Sequence, residues 1–207
     1  MPLVRKPGNA APPSAPDDRL VFEALASPST EDRWKAARAA ADLVGADVAL
    51  SQALRTETDL RVREAMLTGL ARIGTPVAVE SLLSMLRSDS AALRTGALDA
   101  LQMLRPLGGV TAQLLRDADP DVRILSCELA RSLEAAEASR LLCEMLAAEH
   151  NANVCASAID VLAEVGGPEA LETLADCARR FRDTPFLLFA ISAVSDRINV
   201  KSASSRD

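Results

Sequence analysis

Apolar and small residues recur at helical spacing from about residue 17 to residue 198. Five segments of similar pattern align at starts 29 to 32 residues apart, namely Val62, Leu93, Val122, Val154 and Phe186. The positions four, eight and eleven residues after each start are mostly apolar or small, which places them on one face of a helix. The periodicity therefore predicts a helix at each start and a repeat of about thirty residues.

The residue types at the predicted helix ends support this repeat. An N-cap residue is expected three positions before each start, because its side-chain oxygen accepts hydrogen bonds from the first N–H groups of a helix. The residues at these positions are Asp59, Ser90, Asp119, Asn151 and Asp183. Pro120 falls at a first helical position, where the N–H group that proline lacks would have no partner in the helix. Gly74 and Gly166 fall at matching helix ends, and glycine is the usual C-cap. These residues fix the expected boundaries of the first helix in each repeat.

A second helix is predicted to follow each of these first helices. Pro76 and Pro168 come two residues after the glycines and open two of the second helices. The second helices are predicted over residues 77–87, 110–117, 136–147 and 169–180. A weaker earlier pair covers residues 33–45 and 47–55, and single helices are predicted at the two ends, over 17–26 and 186–198.

The fold class follows from this arrangement. A helix pair of this size cannot bury its apolar face alone, so neighbouring pairs stack and share one core. Aromatic residues make up only 2% of the chain, tyrosine is absent, and the strong helix formers Ala and Leu dominate. We therefore expect an all-α fold over residues 17–198, a right-handed α-solenoid of about five helix pairs with single-helix ends. Residues 1–16 are expected to be a disordered tail and residues 199–207 a flexible one.

Composition also limits the function. The net charge of −6 argues against a nucleic-acid binder, which needs a basic surface. No apolar run is long enough to cross a membrane, and the N-terminus lacks the apolar stretch of a secretory signal. The four cysteines show no CxxC spacing and are expected to be small buried hydrophobes in a reducing compartment. The expected location is therefore cytoplasmic.

The sequence offers no catalytic centre. His150 is the chain's one histidine, so no second histidine can complete a metal site with it. The sequence also offers no Ser-His-Asp arrangement around His150. The four cysteines fall at different repeat offsets, which argues against their convergence on a metal. We therefore predict no catalytic residue, no metal site and no cofactor.

Two stretches resemble a known repeat family. The first runs from Asp59 through Val62 and Arg63 to Leu70 and the Ile73–Gly74 end, and the second is the run at 119–123. Both are similar to the HEAT-like repeat of the bacterial type seen in phycobilin lyases, and the resemblance covers about residues 30 to 198. It implies a solenoid of the kind found in scaffolds, adaptors, lyase subunits and accessory proteins of sensory pathways.

The resemblance also implies a role for the repeated polar residues. In HEAT-like families the repeated Asp and Arg form a ladder of hydrogen bonds and ion pairs inside the stack. Carried over to this chain, that ladder comprises Asp59, Arg63, Arg94, Asp119 and Arg123. Cys155 stands where the next arginine would be, so the ladder is expected to be interrupted there.

Charge is unevenly distributed and indicates where a partner would bind. Residues 1–105 carry no net charge, whereas residues 106–207 carry the whole net charge of −6. Second helices usually line the partner-binding face of a solenoid, and two of them present an outward group of mostly acidic residues: Glu137, Arg140, Glu144, Glu169, Glu172 and Asp176. A basic protein segment is the natural complement. A merely solvated acidic surface is the alternative reading.

The final helix is a second candidate contact. Phe186 and Phe189 belong to a segment that is apolar around much of its circumference, so one face is expected to stay exposed. The C-terminal tail, a partner or a second copy in a homodimer could cover it. Together these features favour a non-catalytic scaffold or adaptor of a bacterial cytoplasmic pathway. The alternatives are an accessory subunit of a lyase-type enzyme and an accessory protein of a sensory or chemotaxis-like signalling system.

Overall fold

The computed structural model describes residues 18–104 and 107–204, and all the regular secondary structure in these residues is helical. The predicted tail at 1–16 lies outside the described residues. The helices, in chain order, are α1 Asp18–Ala24, α2 Thr30–Ala40, α3 Ala46–Leu54, α4 Leu60–Ile73, α5 Pro76–Met85, α6 Ala91–Gln102, α7 Gly108–Leu114, α8 Pro120–Ala130, α9 Ala135–Ala148, α10 Ala152–Val165, α11 Ala170–Arg180 and α12 Pro185–Ser204.

These twelve helices of the described residues correspond one to one with the predicted elements. In chain order the predicted pairs correspond to α2 with α3, α4 with α5, α6 with α7, α8 with α9 and α10 with α11, while α1 and α12 are the single end helices. The predicted α-solenoid fold is therefore confirmed. Most helix boundaries differ from the predicted ones by one to four residues.

The last helix is longer than predicted. A flexible tail was expected from residue 199, but α12 continues to Ser204. Ile198 is 1% exposed, and the Lys201 ammonium donates to the carbonyl of Glu164 at 3.1 Å. These contacts hold the additional turn against the neighbouring repeat, and residues 205–207 lie outside the described part.

Three of the predicted N-caps bind the first turn of their helix. Asp59 Oδ1 accepts from the N–H groups of residues 61 and 62, at 3.0 and 3.1 Å. Asp119 caps α8, and Asn151 caps α10 through the N–H groups of residues 153 and 154. Ser90 stands at the N-cap position of α6, but its side chain makes no capping hydrogen bond.

The fifth predicted N-cap, Asp183, is wrong. Helix α12 begins at Pro185, which leaves Thr184 immediately before it. The fixed φ angle of proline suits the first helical position, and this preference moves the start one residue along the chain. The carbonyl of Thr184 accordingly accepts from the N–H groups of Leu187 and Leu188 at 3.1 and 3.2 Å.

The two predicted glycine C-caps behave differently. Gly74 follows α4 with a φ of 60°, the left-handed conformation that glycine adopts without strain. Gly166 is the C-cap of α10, but its backbone is extended, with φ −67° and ψ 141°. A Cβ atom on Gly166 would lie 2.5 Å from the carbonyl oxygen of Leu162, so close backbone approach explains this glycine.

The chain divides into two compact units, Met1–Ile73 and Gly74–Asp207. In the first unit α2 packs against α1, α3 and α4. In the second unit the successive first helices α6, α8, α10 and α12 contact one another in order, and the second helices α9 and α11 also touch. This contact order is the stacking expected of a repeat array. Buried residues from Leu115 to Ile198 share one hydrophobic core within the second unit.

The predicted apolar stripe forms the core of the first helices. The residues four positions after the first four repeat starts are 0% exposed: Met66, Ala97, Ser126 and Ala158. The residues eight positions after the same starts are also 0% exposed: Leu70, Leu101, Ala130 and Leu162. The position eleven residues after the start is only partly buried in α4 and α10, at Ile73 and Val165, and likewise at Leu104 and Leu133, just after α6 and α8. The stripe is therefore narrower than the sequence pattern indicated.

Candidate protein-interaction surfaces

A repeated arginine holds the turn before four of the first helices, α2, α4, α6 and α8. The guanidinium donates to the carbonyl of the residue six positions earlier, at distances of 2.6 to 2.9 Å. These arginines and their acceptors are Arg33 with Ser27, Arg63 with Glu57, Arg94 with Ser88 and Arg123 with Asp117. The arginine of one repeat thus binds a carbonyl of the turn that follows the preceding helix, and so it joins consecutive repeats.

Two of these arginines also bind a glutamate of the following turn in a bidentate pair. Arg33 reaches Glu57 at 2.7 and 3.1 Å, and Arg123 reaches Glu149 at 2.7 and 3.2 Å. The glutamate side chains are only 3% and 8% exposed. The carboxylates of this ladder are therefore Glu57 and Glu149, which the sequence interpretation did not assign to it. Asp59 and Asp119, which it did assign, cap helices instead.

The glutamates occupy a position that is polar in all five turns. In each turn the side-chain oxygen of this residue accepts from the N–H group two positions later, at 2.8 to 3.2 Å. The five residues are Ser27, Glu57, Ser88, Asp117 and Glu149. Alignment of the turns, rather than of the helices, would have identified this position. Both glutamates also reach the ladder arginine of the preceding repeat, whereas Asp117 pairs with Arg87, beyond the end of α5.

These contacts lower the pKa of both glutamates. The hydrogen bond from Arg33 lowers the pKa of Glu57, helped by two backbone N–H groups. Burial raises the pKa of Glu149, but the hydrogen bonds from Arg123 and from the N–H groups of Asn151 and His150 outweigh it and leave a lowered pKa. Both carboxylates are therefore ionised and structural at neutral pH.

The predicted interruption of the ladder lies at Cys155. Its Sγ atom is 3.9 Å from the carbonyl oxygen of Glu149, the group that an arginine at this position would bind. The Arg180 guanidinium instead donates to the carbonyl of Leu146, near the end of α9. A weak thiol contact thus takes the place of a charged one in the fifth repeat.

The cysteines are largely buried, as predicted. Cys127, Cys155 and Cys177 are buried and Cys143 is partly buried, and all four are free thiols. Burial raises the pKa of Cys127 to about 12. Although their repeat offsets differ, Cys155 and Cys177 do meet, and the hydrogen bond between the two side chains raises the pKa of Cys155.

Thiol labelling of the folded protein should therefore be selective. We expect iodoacetamide at pH 7.5 to modify Cys143 first, because reaction requires an accessible thiolate and the other three side chains are enclosed. Peptide mass spectrometry over a time course checks the order. Full labelling in urea serves as the control, and early modification of Cys127 would contradict this prediction.

The predicted acidic residues lie on two helices that contact each other. Glu137 and Glu144 on α9 and Glu172 on α11 are exposed, and Asp176 is partly exposed. The Ser139 hydroxyl donates to Glu169 across the two helices at 2.9 Å. We call the group Glu137, Arg140, Glu144, Glu172 and Asp176 the acidic surface of α9 and α11.

Some of the predicted contact residues already have partners within the chain. Glu144 accepts from Arg140 at 2.5 Å and lies 3.5 Å from an Arg116 nitrogen. Asp176 pairs with Arg179 on the next turn. Glu169 accepts from the Ser139 hydroxyl and from the N–H group of Gly167. The hydrogen bond from its own backbone lowers the pKa of Glu169 most, and the bonds from Ser139 and Gly167 lower it further. Glu169 is therefore committed to the start of α11, whereas exposed surface pairs such as those of Glu144 hold their partners weakly.

The final helix divides into a buried and an exposed side. Leu187 and Ile191 are 0% and 5% exposed and face the core, while Phe186 and Phe189 are 54% and 78% exposed. Val200 continues the exposed side at 67%. The two phenylalanines are thus accessible large apolar side chains, of the type that partners or second copies cover.

Other chemistry is limited in the described residues. His150 is exposed in the turn between α9 and α10. No group of three or more His, Cys, Asp or Glu side chains in residues 18–104 and 107–204 is placed to hold a metal ion. Among the helices of those same residues, none combines the length and the apolar character that a membrane span requires.

Comparison with known proteins identifies the repeat. The family described as HEAT repeats matches residues 19–102 and 109–186, and no curated protein matches the chain. The solved complex of CpcE and CpcF of phycocyanin lyase from Nostoc is 19% identical, with 95% of this chain and 100% of that chain covered and a TM-score of 0.40. The Cnd3–Cnd2 condensin subcomplex of S. pombe is 16% identical, with 91% and 28% covered and a TM-score of 0.46. An engineered protein is 18% identical, with 88% and 96% covered and a TM-score of 0.39.

Proposed function

Since this chain belongs to the HEAT-repeat family, we propose that it is a non-catalytic scaffold or adaptor of a bacterial cytoplasmic pathway. HEAT repeats imply a scaffold for protein interaction. The partner bound by the second unit is a basic protein segment, and the acidic surface of α9 and α11 receives it. Four free thiols, without a disulfide among them, support a reducing compartment.

One observation carries this proposal. The second helices α9 and α11 contact each other, and both carry exposed carboxylates, so these charges form one surface. The described residues hold no ion pair for Glu137 or Glu172. The Glu137 carboxylate lies against Gly108 at the start of α7, so Glu172 is the charge most available to a ligand. A surface of one sign attracts an oppositely charged segment and raises its association rate, most strongly at low salt.

Charge reversal tests the surface. We expect Glu144→Lys, Glu172→Lys and Asp176→Lys together to weaken partner capture at least about tenfold at low salt, because three attractive charges become repulsive. The wild-type and triple-variant proteins are used as baits in a native lysate, and captured proteins are quantified by mass spectrometry. A basic segment of the captured partner is then titrated by calorimetry at two salt concentrations.

A second triple variant provides the matched control. Asp99→Lys, Asp121→Lys and Asp196→Lys make the same change in net charge, but on the first helices α6, α8 and α12. All three aspartates are exposed, so both variants should remain folded, which melting curves verify. Equal capture by the two triples would exclude the acidic surface as the binding site. A wild-type bait that enriches no protein above empty resin would contradict the scaffold function itself.

Phe186 and Phe189 are the second contact in this proposal. Apolar anchors add affinity to a charged surface, whose main contribution is to encounter rate and selectivity. A third bait with Phe186→Ser and Phe189→Ser separates the two contributions. Sedimentation of the same variant distinguishes a partner contact from a homodimer, because only a homodimer loses mass when these side chains are replaced.

A further inference from the structure

A groove of about 790 Å³ runs between α2 and α4 in the first unit. Its walls come from residues 34–42, in α2 and the turn after it, and from α4 residues 61–72. Small residues form its floor, and Gly69 lets α4 approach closely, since a Cβ atom there would lie 3.6 Å from Ala41 Cβ and 3.0 Å from Leu50 Cδ1. At 1.5 Å per residue, α4 lines the groove for roughly 16 Å, the length of about five residues of extended chain.

The chain's only tryptophan stands in this groove. Trp34 is partly exposed, and two guanidinium groups lie over its ring, with the carbon of Arg61 3.8 Å and that of Arg38 4.8 Å from the ring centroid. Tryptophan and arginine are the residue types that most often carry the binding energy of protein interfaces. Stacking on the ring also restrains the guanidinium groups, so less freedom is lost when a ligand binds.

The groove carries an excess of positive charge. Lys35, Arg38, Arg61 and Arg72 line it, against Asp42 and Glu64. Arg72 pairs with Asp42, and Arg61 pairs with Glu31, which lies just outside the lining, at 3.0 Å. For Arg38, which is exposed, no carboxylate of the described residues lies within ion-pair distance. The groove therefore presents an uncompensated guanidinium next to an aromatic ring.

We propose that this groove binds an acidic segment of a partner protein in extended conformation. A carboxylate of the segment binds the guanidinium of Arg38, whose planar fork fits it with two hydrogen bonds. An adjacent apolar side chain packs on Trp34 and the small-residue floor. A peptide can bring a carboxylate to Arg38 and place apolar residues opposite Asp42 and Glu64, whereas a continuous phosphate backbone meets these two carboxylates with charge, which makes a peptide the better ligand than a nucleic acid. This surface uses no residue of the acidic surface of α9 and α11 and extends the proposed function to a second class of partner segment.

Tryptophan fluorescence tests the proposal directly, because Trp34 is the only source of that signal. The probe is a decapeptide of alternating Glu and Leu, titrated into the full chain at low salt. We expect a saturable change in Trp34 emission, and binding weakened at least about tenfold by Arg38→Glu. Arg38→Gln should lie between the two, since it removes the attraction without adding repulsion.

Arg55→Glu is the matched control. Arg55 is exposed, belongs to the same unit and lies outside the groove, so this variant should bind within about twofold of wild type. If Arg38→Glu and Arg55→Glu weakened peptide binding equally, the effect would come from the net charge of the protein, and the proposal would be overturned. So would an unchanged emission up to about 1 mM peptide, or equally tight binding of a single-stranded oligonucleotide. A dimer of the wild-type chain that dissociates with Arg38→Glu would make a second copy the occupant and would likewise overturn it.

Discussion

Replacement of Leu162 by alanine is expected to lower the free energy of unfolding of the second unit by about 3 kcal/mol. Leu162 is 0% exposed in α10, which packs against α8, α9 and α12. Removal of three side-chain carbon atoms loses their transfer free energy and leaves a cavity. Helices on several sides of α10 limit how far the site can collapse, so the loss should not fall at the low end of the known range.

Urea unfolding followed by circular dichroism measures this loss. Met103→Ala is the control, because Met103 lies in the same unit and is 60% exposed. That variant should change the free energy of unfolding by no more than about 0.5 kcal/mol. A loss below about 1 kcal/mol for Leu162→Ala would mean that the repeats do not share a tightly packed core.

The repeat itself could be predicted from the sequence because its determinants are local. The spacing from Met66 to Leu70 places both side chains on one helix face whatever the rest of the chain does. A cap such as Asn151 acts on N–H groups two and three residues away. Where two local preferences compete, the prediction fails, as at the start of α12, where Asp183 would cap one helix and Pro185 opens another.

The contacts between repeats could not be predicted in the same way. Arg33 and Glu57 are 24 residues apart, and Arg123 and Glu149 are 26 apart, so neither pair shares a helix or a turn. Only the stacking of consecutive repeats brings them together. The groove beside Trp34 has the same origin, because it is formed by α2 and α4, whose residues are separated by a whole intervening helix.

Replacement of Arg123 by methionine is expected to lower the free energy of unfolding by about 2 to 4 kcal/mol at pH 7. The methionine keeps much of the apolar stem but loses the bidentate pair with Glu149 and the bonds to the carbonyls of Asp117 and Ala118. Glu149 is then an enclosed carboxylate with only backbone N–H donors. An uncompensated buried charge accounts for most of the expected loss.

Acidification distinguishes this cause from lost packing. The pKa of Glu149 is lowered in the folded protein, so its contribution is present above the unfolded value of about 4.3 and disappears as pH falls through the lower folded value. The difference in the free energy of unfolding between wild type and Arg123→Met should therefore shrink as pH falls below about 4.

Addition of Glu149→Gln to Arg123→Met should restore part of the stability, because it removes the unpaired charge. Arg197→Met, at an exposed position of the same unit, should stay within about 0.5 kcal/mol of wild type. A difference that stays constant from pH 7 to pH 3 would instead assign the loss to packing, and the carboxylate pair would then have no part in holding the repeats together.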